Sequence, residues 1–324
     1  MLGFAFHLFF LSICDMTKGL GKQKTLIMVV GPTAVGKTAM AIRLANHFNT
    51  AIISADSRQF YREMSIGTAK PDAEELAQAP HYFIDSHSIR EDYSAGDFER
   101  DALVLLADLF KEHDTVIGVG GSGLFVRALC EGLDDLPKAP EEMREALNHR
   151  LRMEGLKSLQ AYLQEIDPEY YAKADIDNPQ RVVRAIEVFE ASGKPMSHFL
   201  KNQSPKRPFR IITVGLNMDR AELYERINNR VDRMLEEGLM GEVQSLIEFR
   251  NKPALLTVGY AELFDYFEGK LSWVEAIDLI KQNSRRYAKR QITWFKKYGE
   301  TTWFLPQQFD EIIEHIAQER EKAP

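Results

Sequence analysis

Residues Gly31–Thr38 read Gly-Pro-Thr-Ala-Val-Gly-Lys-Thr and follow directly on the apolar run Thr25–Val30. This is the G-x-x-x-x-G-K-[ST] phosphate-binding pattern, placed where a buried strand feeds a glycine-rich turn that opens a helix. Such a turn aims backbone N–H groups and the positive end of a helix at one point, which suits a di- or triphosphate. Lys37 would meet the outer phosphates, and the Thr38 hydroxyl is the candidate magnesium ligand. Gly31, Pro32, Thr33, Ala34, Val35, Gly36, Lys37 and Thr38 are therefore the candidate diphosphate- or nucleotide-binding (ATP-type) residues. A plain glycine-rich turn is the structural alternative. The loop by itself names a ligand class and no reaction.

The rest of the chain supports a parallel α/β reading. The runs Leu26–Val30, Ala51–Ser54 and Thr115–Val119 behave like buried parallel strands. They deliver, in turn, the phosphate loop, Asp56-Ser57-Arg58-Gln59 and Gly120-Gly121-Ser122-Gly123. Helical segments such as Thr38–Phe48 and Leu124–Glu131 follow them, as right-handed βαβ units require. A fourth run, Arg210–Leu216, resumes the pattern after a charged, helix-favouring stretch punctuated by Pro137, Pro140, Pro205 and Pro208. The expected architecture is a P-loop NTPase-like parallel sheet flanked by helices, with residues 25–136 and 208–324 as core and 137–207 as a helical insertion. Ala221–Glu237 places Leu223, Ile227, Val231 and Leu235 on one face, and Glu242–Phe249 continues the helical pattern.

Residues 1–24 read as a poorly ordered N-terminal extension. Their apolar part is too short to span a bilayer, carries His7 and lacks both a basic leader and a small-x-small cleavage site. Met16 offers an alternative translation start. A net charge of −7 argues against blanket nucleic-acid coating, so any such contact needs a local basic patch. Only Cys14 and Cys130 are present, too few for a disulfide framework or a zinc finger, which fits a reducing cytoplasm.

Asp56 follows a strand and should lie beside the phosphate loop. Three roles stay open for it: magnesium ligand, cap of the next helix, or a base that accepts a proton from an incoming nucleophile near the diphosphate. Ser284–Tyr298, the last long helical segment, carries six Lys/Arg, no acid, and four interleaved aromatics. On a helix Arg286, Arg290, Thr293 and Lys297 share one face, while Tyr287, Gln291, Trp294 and Tyr298 line another. This is either a phosphate-backbone surface or a solvated basic face over a buried aromatic stripe.

Taken in order, the motifs resemble those of the bacterial tRNA dimethylallyltransferases, also called tRNA isopentenyltransferases, from about Leu26 to Phe304. The resemblance is carried by Gly31–Thr38, residues 53–61, residues 66–71, Tyr93–Asp97, Val119–Leu124, Asp177–Arg181, Val258–Tyr260 and Ala288–Trp294. It implies transfer of a dimethylallyl group from dimethylallyl diphosphate to the exocyclic amine of the adenosine just 3′ of the anticodon, on a tRNA base flipped from its stack. It implies Asp56 as base, with Lys37, Thr38 and Mg2+ stabilising the leaving diphosphate, and the Ser122 hydroxyl at the reaction channel. The family mostly carries Thr where Ser122 stands. Contacts to tRNA are implied for Asp56, Ser57, Arg58, Gln59, Ser122, Arg144, Gln180, Arg181, Val182, Val183, Arg184, Lys289, Arg290 and Gln291. Leu256 and Ala261 depart from the family's polar or basic positions and receive no tRNA role. The implied partners are the tRNA anticodon stem-loop and dimethylallyl diphosphate, with no membrane, acting as a cytoplasmic monomer.

Other readings of the loop remain at this point. A small-metabolite kinase would use it for ATP and could take a lid from Arg181 and Arg184. An adenylate isopentenyltransferase would keep the chemistry and accept a free nucleotide. A non-enzymatic RNA-binding module would leave Asp56 without a purpose.

Overall fold

The computed structural model describes residues 23–200 and 206–322, so the apolar start of the chain and Met16 lie outside the described residues. Lys24, counted with the extension on sequence, is instead anchored: its ammonium donates to the Asp114 carboxylate at 2.9 Å and the His113 carbonyl at 3.0 Å. The chain divides into two compact units, Met1–Glu131 with Lys206–Pro324, and Gly132–Pro205.

The first unit is built on six parallel strands: β1 (Thr25–Val30), β2 (Ile52–Ser54), β3 (His81–Tyr82), β4 (Thr115–Val119), β5 (Arg210–Leu216) and β6 (Thr301–Phe304). Their order across the sheet is β3-β2-β4-β1-β5-β6. The two edge strands escape a sequence reading because each is too short to show a period. Every residue of central β1 is buried, and alternation sends its side chains to opposite layers. Leu26, Met28 and Val30 pack with Phe98, Leu106 and Phe110; Ile27 and Val29 pack with Leu44, Leu223, Ile227 and Ile316. Helices therefore have to cover both faces, and all strand ends that carry loops toward a ligand fall on one edge.

After β5 the helix Arg220–Glu236 follows, then Leu239–Ser245 and Tyr260–Phe267, and the long helix Trp273–Lys297. The basic segment is thus the last part of a 25-residue helix that begins at a capping box between Ser272 and Glu275. It is not the final helix of the chain, since Phe309–Glu321 comes after β6. The second unit has five helices among its described residues: Glu141–Glu154, Leu156–Ile166, Pro168–Lys173, Pro179–Ser192 and Met196–Phe199. Its core includes Leu147, Leu159, Leu163, Val182, Val183 and Ile186. The Asn178 side chain starts the Pro179 helix by accepting from the Gln180 and Arg181 N–H groups.

A separate apolar cluster around Tyr61, Met64, Leu239, Val243, Tyr260 and Leu263 is organised by one carboxylate. Glu242 accepts from the backbone N–H groups of Ser65, Ile66 and Gly67 at 2.8, 2.8 and 3.0 Å and from the Tyr260 hydroxyl at 2.6 Å. Gly67 is required here because a Cβ would sit 2.5 Å from the Tyr260 ring. Two motifs nearly two hundred residues apart, 66–71 and 258–260, are thereby one contact. Replacing Glu242 by Ala strands three N–H groups and a buried phenol at once. Glu242→Ala is expected to cost about 2–4 kcal/mol, measured by chemical denaturation, while Gly67→Ala should fail to pack and lower the thermal midpoint.

Candidate active site

The phosphate loop is shaped by close approach and by left-handed backbone. Gly31 has φ 145°, and a Cβ there would lie 2.5 Å from the Leu216 carbonyl oxygen of β5. Ala34 and Gly36 also have positive φ, 65° and 100°, which turns successive peptide N–H groups to one side before the helix Lys37–Phe48 starts. The Lys37 ammonium folds back over this turn and donates to the Pro32 carbonyl at 2.7 Å.

Lys37 and Thr38 open onto a cleft whose other walls include Ser54, Asp56, Gln59, His81, Gly120 and Gly121. Asp56 leaves β2 and enters a turn over 57–60, so no helix follows for it to cap. Its Oδ1 accepts the Arg58 N–H at 3.0 Å, an Asx-type turn that fixes the carboxylate at the cleft wall. Gln59 spans the base of the cleft: its carbonyl accepts from Ser54 Oγ at 3.1 Å, and its amide donates to Thr68 and Ala69 carbonyls. Arg58 reaches out to the Pro253 carbonyl at 3.2 Å. Ser122 Oγ accepts the Ser57 N–H at 3.0 Å and lies 3.0 Å from Ser57 Oγ. The loops after β2 and β4 are therefore stitched together at the predicted channel hydroxyl.

The long helix supplies the third wall. Gln291 is buried; its carbonyl accepts the Thr33 N–H at 2.8 Å and its amide donates to the Gly121 carbonyl at 2.9 Å. Gly121 and Gly123 are glycines because a Cβ would collide with Gln291 and with the Trp294 ring. Of the run Lys289-Arg290-Gln291 expected to face tRNA, only Lys289 and Arg290 are exposed. Gln291 has both ends of its amide used inside the protein. Arg286, Arg290, Thr293 and Lys297 do form one exposed face, and Tyr287, Gln291, Trp294 and Tyr298 do turn inward.

Two cations and one carboxylate set the electrostatics of the cleft. Burial, then the neighbouring Arg230 guanidinium, pulls the Lys37 pKa from 10.5 down to about 8, with Asp56 opposing. Arg230, itself shifted down by burial and held up by Asp56, donates to Thr33 Oγ1 at 3.1 Å. The Tyr287 phenol, hydrogen-bonded with Ser122, is pushed up to about 12 by burial and then by Asp56, so it stays protonated. Unbalanced positive charge in a part-buried loop of N–H donors suits an anion, and a single carboxylate in the cleft wall is the kind of group that can take a proton.

Arg230 escaped the sequence reading, and Tyr287 entered it only as part of the aromatic face of the basic helix. Arg230 sits three residues after Ile227 and one before Val231, on the margin of an apolar helix face, with no acid at 226 or 234 to pair with it. That isolated inward cation was the available signal.

In the second unit, Arg144 and Arg184 converge on Glu187, whose carboxylate is fully buried. Burial opposes its charge, but the hydrogen bonds and charges of the two arginines outweigh this and hold its pKa down. Arg184 also donates to the Pro137 carbonyl at 3.1 Å. Of the segment 180–184, Gln180 and Arg181 are exposed, whereas Val182 and Val183 are core residues. Helical spacing turns those two valines inward.

The sequence pattern of the IPP transferase family matches residues 59–298. A "tRNA dimethylallyltransferase" of Cytophaga hutchinsonii is 54% identical over 294 residues, covering 91% of this chain and 97% of that protein. A "tRNA dimethylallyltransferase 1" of Bacteroides thetaiotaomicron is 47% identical, covering 90% and 95%. Among solved structures, the full-length tRNA isopentenylpyrophosphate transferase of Bacillus halodurans superposes with a TM-score of 0.68 at 38% identity, over 92% of this chain and 97% of that one. A eukaryotic dimethylallyltransferase acting on tRNA gives a TM-score of 0.74 at 25% identity, over 91% and 77%.

Holding Lys37 charged beside Arg230 disfavours the ligand-free fold below pH 8. Lys37→Met is therefore expected to raise ligand-free stability at pH 7 by on the order of 1–3 kcal/mol while removing affinity for diphosphate. The stability gap should close as pH rises from about 8 to 10.5, because the folded wild type has by then lost that charge while the unfolded chain still carries it. Denaturation of both proteins across this range checks the sign.

Proposed function

The chain belongs to the IPP transferase family and is an enzyme that prenylates tRNA; on that premise we propose how its own residues divide the work. The dimethylallyl diphosphate binds with its diphosphate in Gly31–Thr38, where Lys37 and Arg230 neutralise it. The acceptor is the exocyclic amine of the adenosine 3′ to the anticodon. Its nitrogen lone pair forms the new N–C bond, the allylic C–O electron pair leaves with the diphosphate, and the amine proton passes to the Asp56 carboxylate. The observation that carries this assignment is the meeting of Lys37, Thr38 and Asp56 in one cleft.

An exocyclic adenine amine is a poor nucleophile, so removing its proton during attack contributes materially. The Asx turn keeps Asp56 aimed, and Tyr287 stays neutral beside it, so the carboxylate is the group that takes the proton. The cation-rich loop favours the charge that accumulates on the leaving group. Among the described residues no cluster of three or more His, Cys, Asp or Glu side chains holds a metal. A hard Mg2+ ion that draws most of its oxygens from diphosphate and water fits a donor set consisting of the Thr38 hydroxyl. Once bound, it would offset charge on the diphosphate.

We assign tRNA contact to the exposed Lys289, Arg290 and Lys297 on the long helix, to Ser57, Arg58, Gln59 and Ser122 on the loops after β2 and β4, and to Arg144, Gln180, Arg181 and Arg184 on the second unit. The family resemblance and the exposed basic face support these contacts. The enzyme acts as a cytoplasmic monomer, since one chain supplies loop, base and basic face. No helix among the described residues is long and apolar enough to cross a membrane.

Incubation with magnesium, labelled dimethylallyl diphosphate and unmodified tRNA, with adenosine monophosphate in parallel, tests the acceptor: label is expected in tRNA alone, and label in the free nucleotide would move it. Asp56→Asn keeps the carbonyl that accepts the Arg58 N–H but lacks a base. It should lower single-turnover transfer by about 10²–10⁴ with tRNA affinity retained, and undiminished turnover would remove Asp56 from the role. Lys297→Ala should weaken all tRNAs alike and reduce the slope of log affinity against log salt by about one.

A further inference from the structure

His81 stands at the start of β3, paired in register with Ile52, and lines the same cleft as Lys37, Thr38 and Asp56. Its ring is held by Nδ1, which lies 2.8 Å from the Ala79 carbonyl. A carbonyl only accepts, so Nδ1 carries a proton. The other nitrogen, Nε2, is buried and has no partner.

Four of the other polar side chains of the cleft are bonded within the protein. Lys37 donates to Pro32, Ser54 to Gln59, Gln59 to Thr68 and Ala69, and Asp56 accepts from Arg58. Among the described residues three buried side-chain nitrogen or oxygen atoms lack a partner, on Arg58, His81 and Thr301, and of these residues His81 alone lines the cleft. A buried, unanswered nitrogen in a native protein calls for an explanation, and a ligand is one. The backbone is arranged to hold the ring there. Strand pairing fixes residue 81, and Phe83 and Asp85 just beyond adopt left-handed φ values of 63° and 52°, a cost that persists only where surroundings impose it.

We propose that His81 is a substrate-contacting residue whose Nε2 hydrogen-bonds the diphosphate of the allylic substrate. This rests on reading the cleft as the diphosphate site. Phosphate oxygens accept, so in this contact the ring donates Nε2–H to them. Its effect is to fix the leaving group from the β3 edge of the sheet.

Two amide substitutions separate this role from a purely structural one. In His81→Asn the amide nitrogen overlies Nδ1 and preserves the bond to Ala79, whereas in His81→Gln it overlies Nε2 and preserves the ligand contact. Magnesium diphosphate is titrated calorimetrically into the wild type and both variants, with tRNA affinity and the ligand-free thermal midpoint measured alongside. Diphosphate affinity should fall about tenfold in His81→Asn, equivalent to about 1.4 kcal/mol, and stay within about threefold of wild type in His81→Gln. Affinity for tRNA should be unchanged in both variants, and so should the midpoint of His81→Asn. Unchanged diphosphate affinity in His81→Asn would overturn the contact. A His81→Gln variant that loses affinity as fully as His81→Asn, or that loses its thermal midpoint with it, would also overturn it in favour of a packing role. If the wild type itself bound no diphosphate, the reading of the loop would fall, and the contact with it.

Discussion

The amide of Gln291 joins three pieces of chain that the sequence keeps far apart. It takes the Thr33 N–H of the phosphate loop, gives to the Gly121 carbonyl after β4, and is carried by the long helix 273–297. A buried primary amide has two donors and a two-lone-pair acceptor, and leaving either end unmet is costly. The position of the helix against the loop is therefore specified to within hydrogen-bond tolerance. Tyr287 and Trp294, on the same inward face, then fall on Ser122 and Gly123. The cleft exists because these walls are tied at one point.

With the walls fixed, charge decides what the cleft accepts. Lys37 and Arg230 are forced close together in a part-buried setting, and burial lowers both. Such an arrangement is disfavoured in the empty protein and becomes favourable when a multiply charged anion arrives. Asp56 opposes both shifts and is the carboxylate among the lining residues. Its proximity keeps the cations tolerable in the empty cleft and, in the proposed reaction, makes it the proton acceptor. In that proposal anion recognition and base catalysis share one electrostatic unit, which requires the loop after β2 and the phosphate loop to be neighbours, as the parallel order of β2, β4 and β1 secures.

Several motifs that read as separate signatures are two halves of one contact. Gly67 is small because Tyr260 lies against it, and Glu242 then bonds both. The glycines after β4 are small because Gln291 and Trp294 press on them. Glycine in these positions answers to a partner more than 160 residues away, so spacing along the chain identifies the residue and not its cause. The same holds for the basic helix, where one exposed face carries Arg286, Arg290 and Lys297 while the opposite face holds a polar Gln291 in place of an apolar residue.

Strand cores and the two faces of the basic helix were legible because each rests on local signals: apolar runs and helical period. Asp56 was placed beside the loop by topology, but its three possible roles were not separable. The turn over 57–60, in place of a helix, excluded the capping role. What tertiary structure alone decided were the residues whose meaning depends on a distant partner. Arg230 is one arginine among many until its helix lies against Thr33; Gln291 looks tRNA-facing until both ends of its amide are seen occupied; Val182 and Val183 look like binding residues until their helix buries them. His81 lies on a two-residue strand that no period could reveal. Local sequence encodes secondary structure through interactions a few residues long, whereas burial and hydrogen-bond satisfaction are settled only when the whole chain has packed.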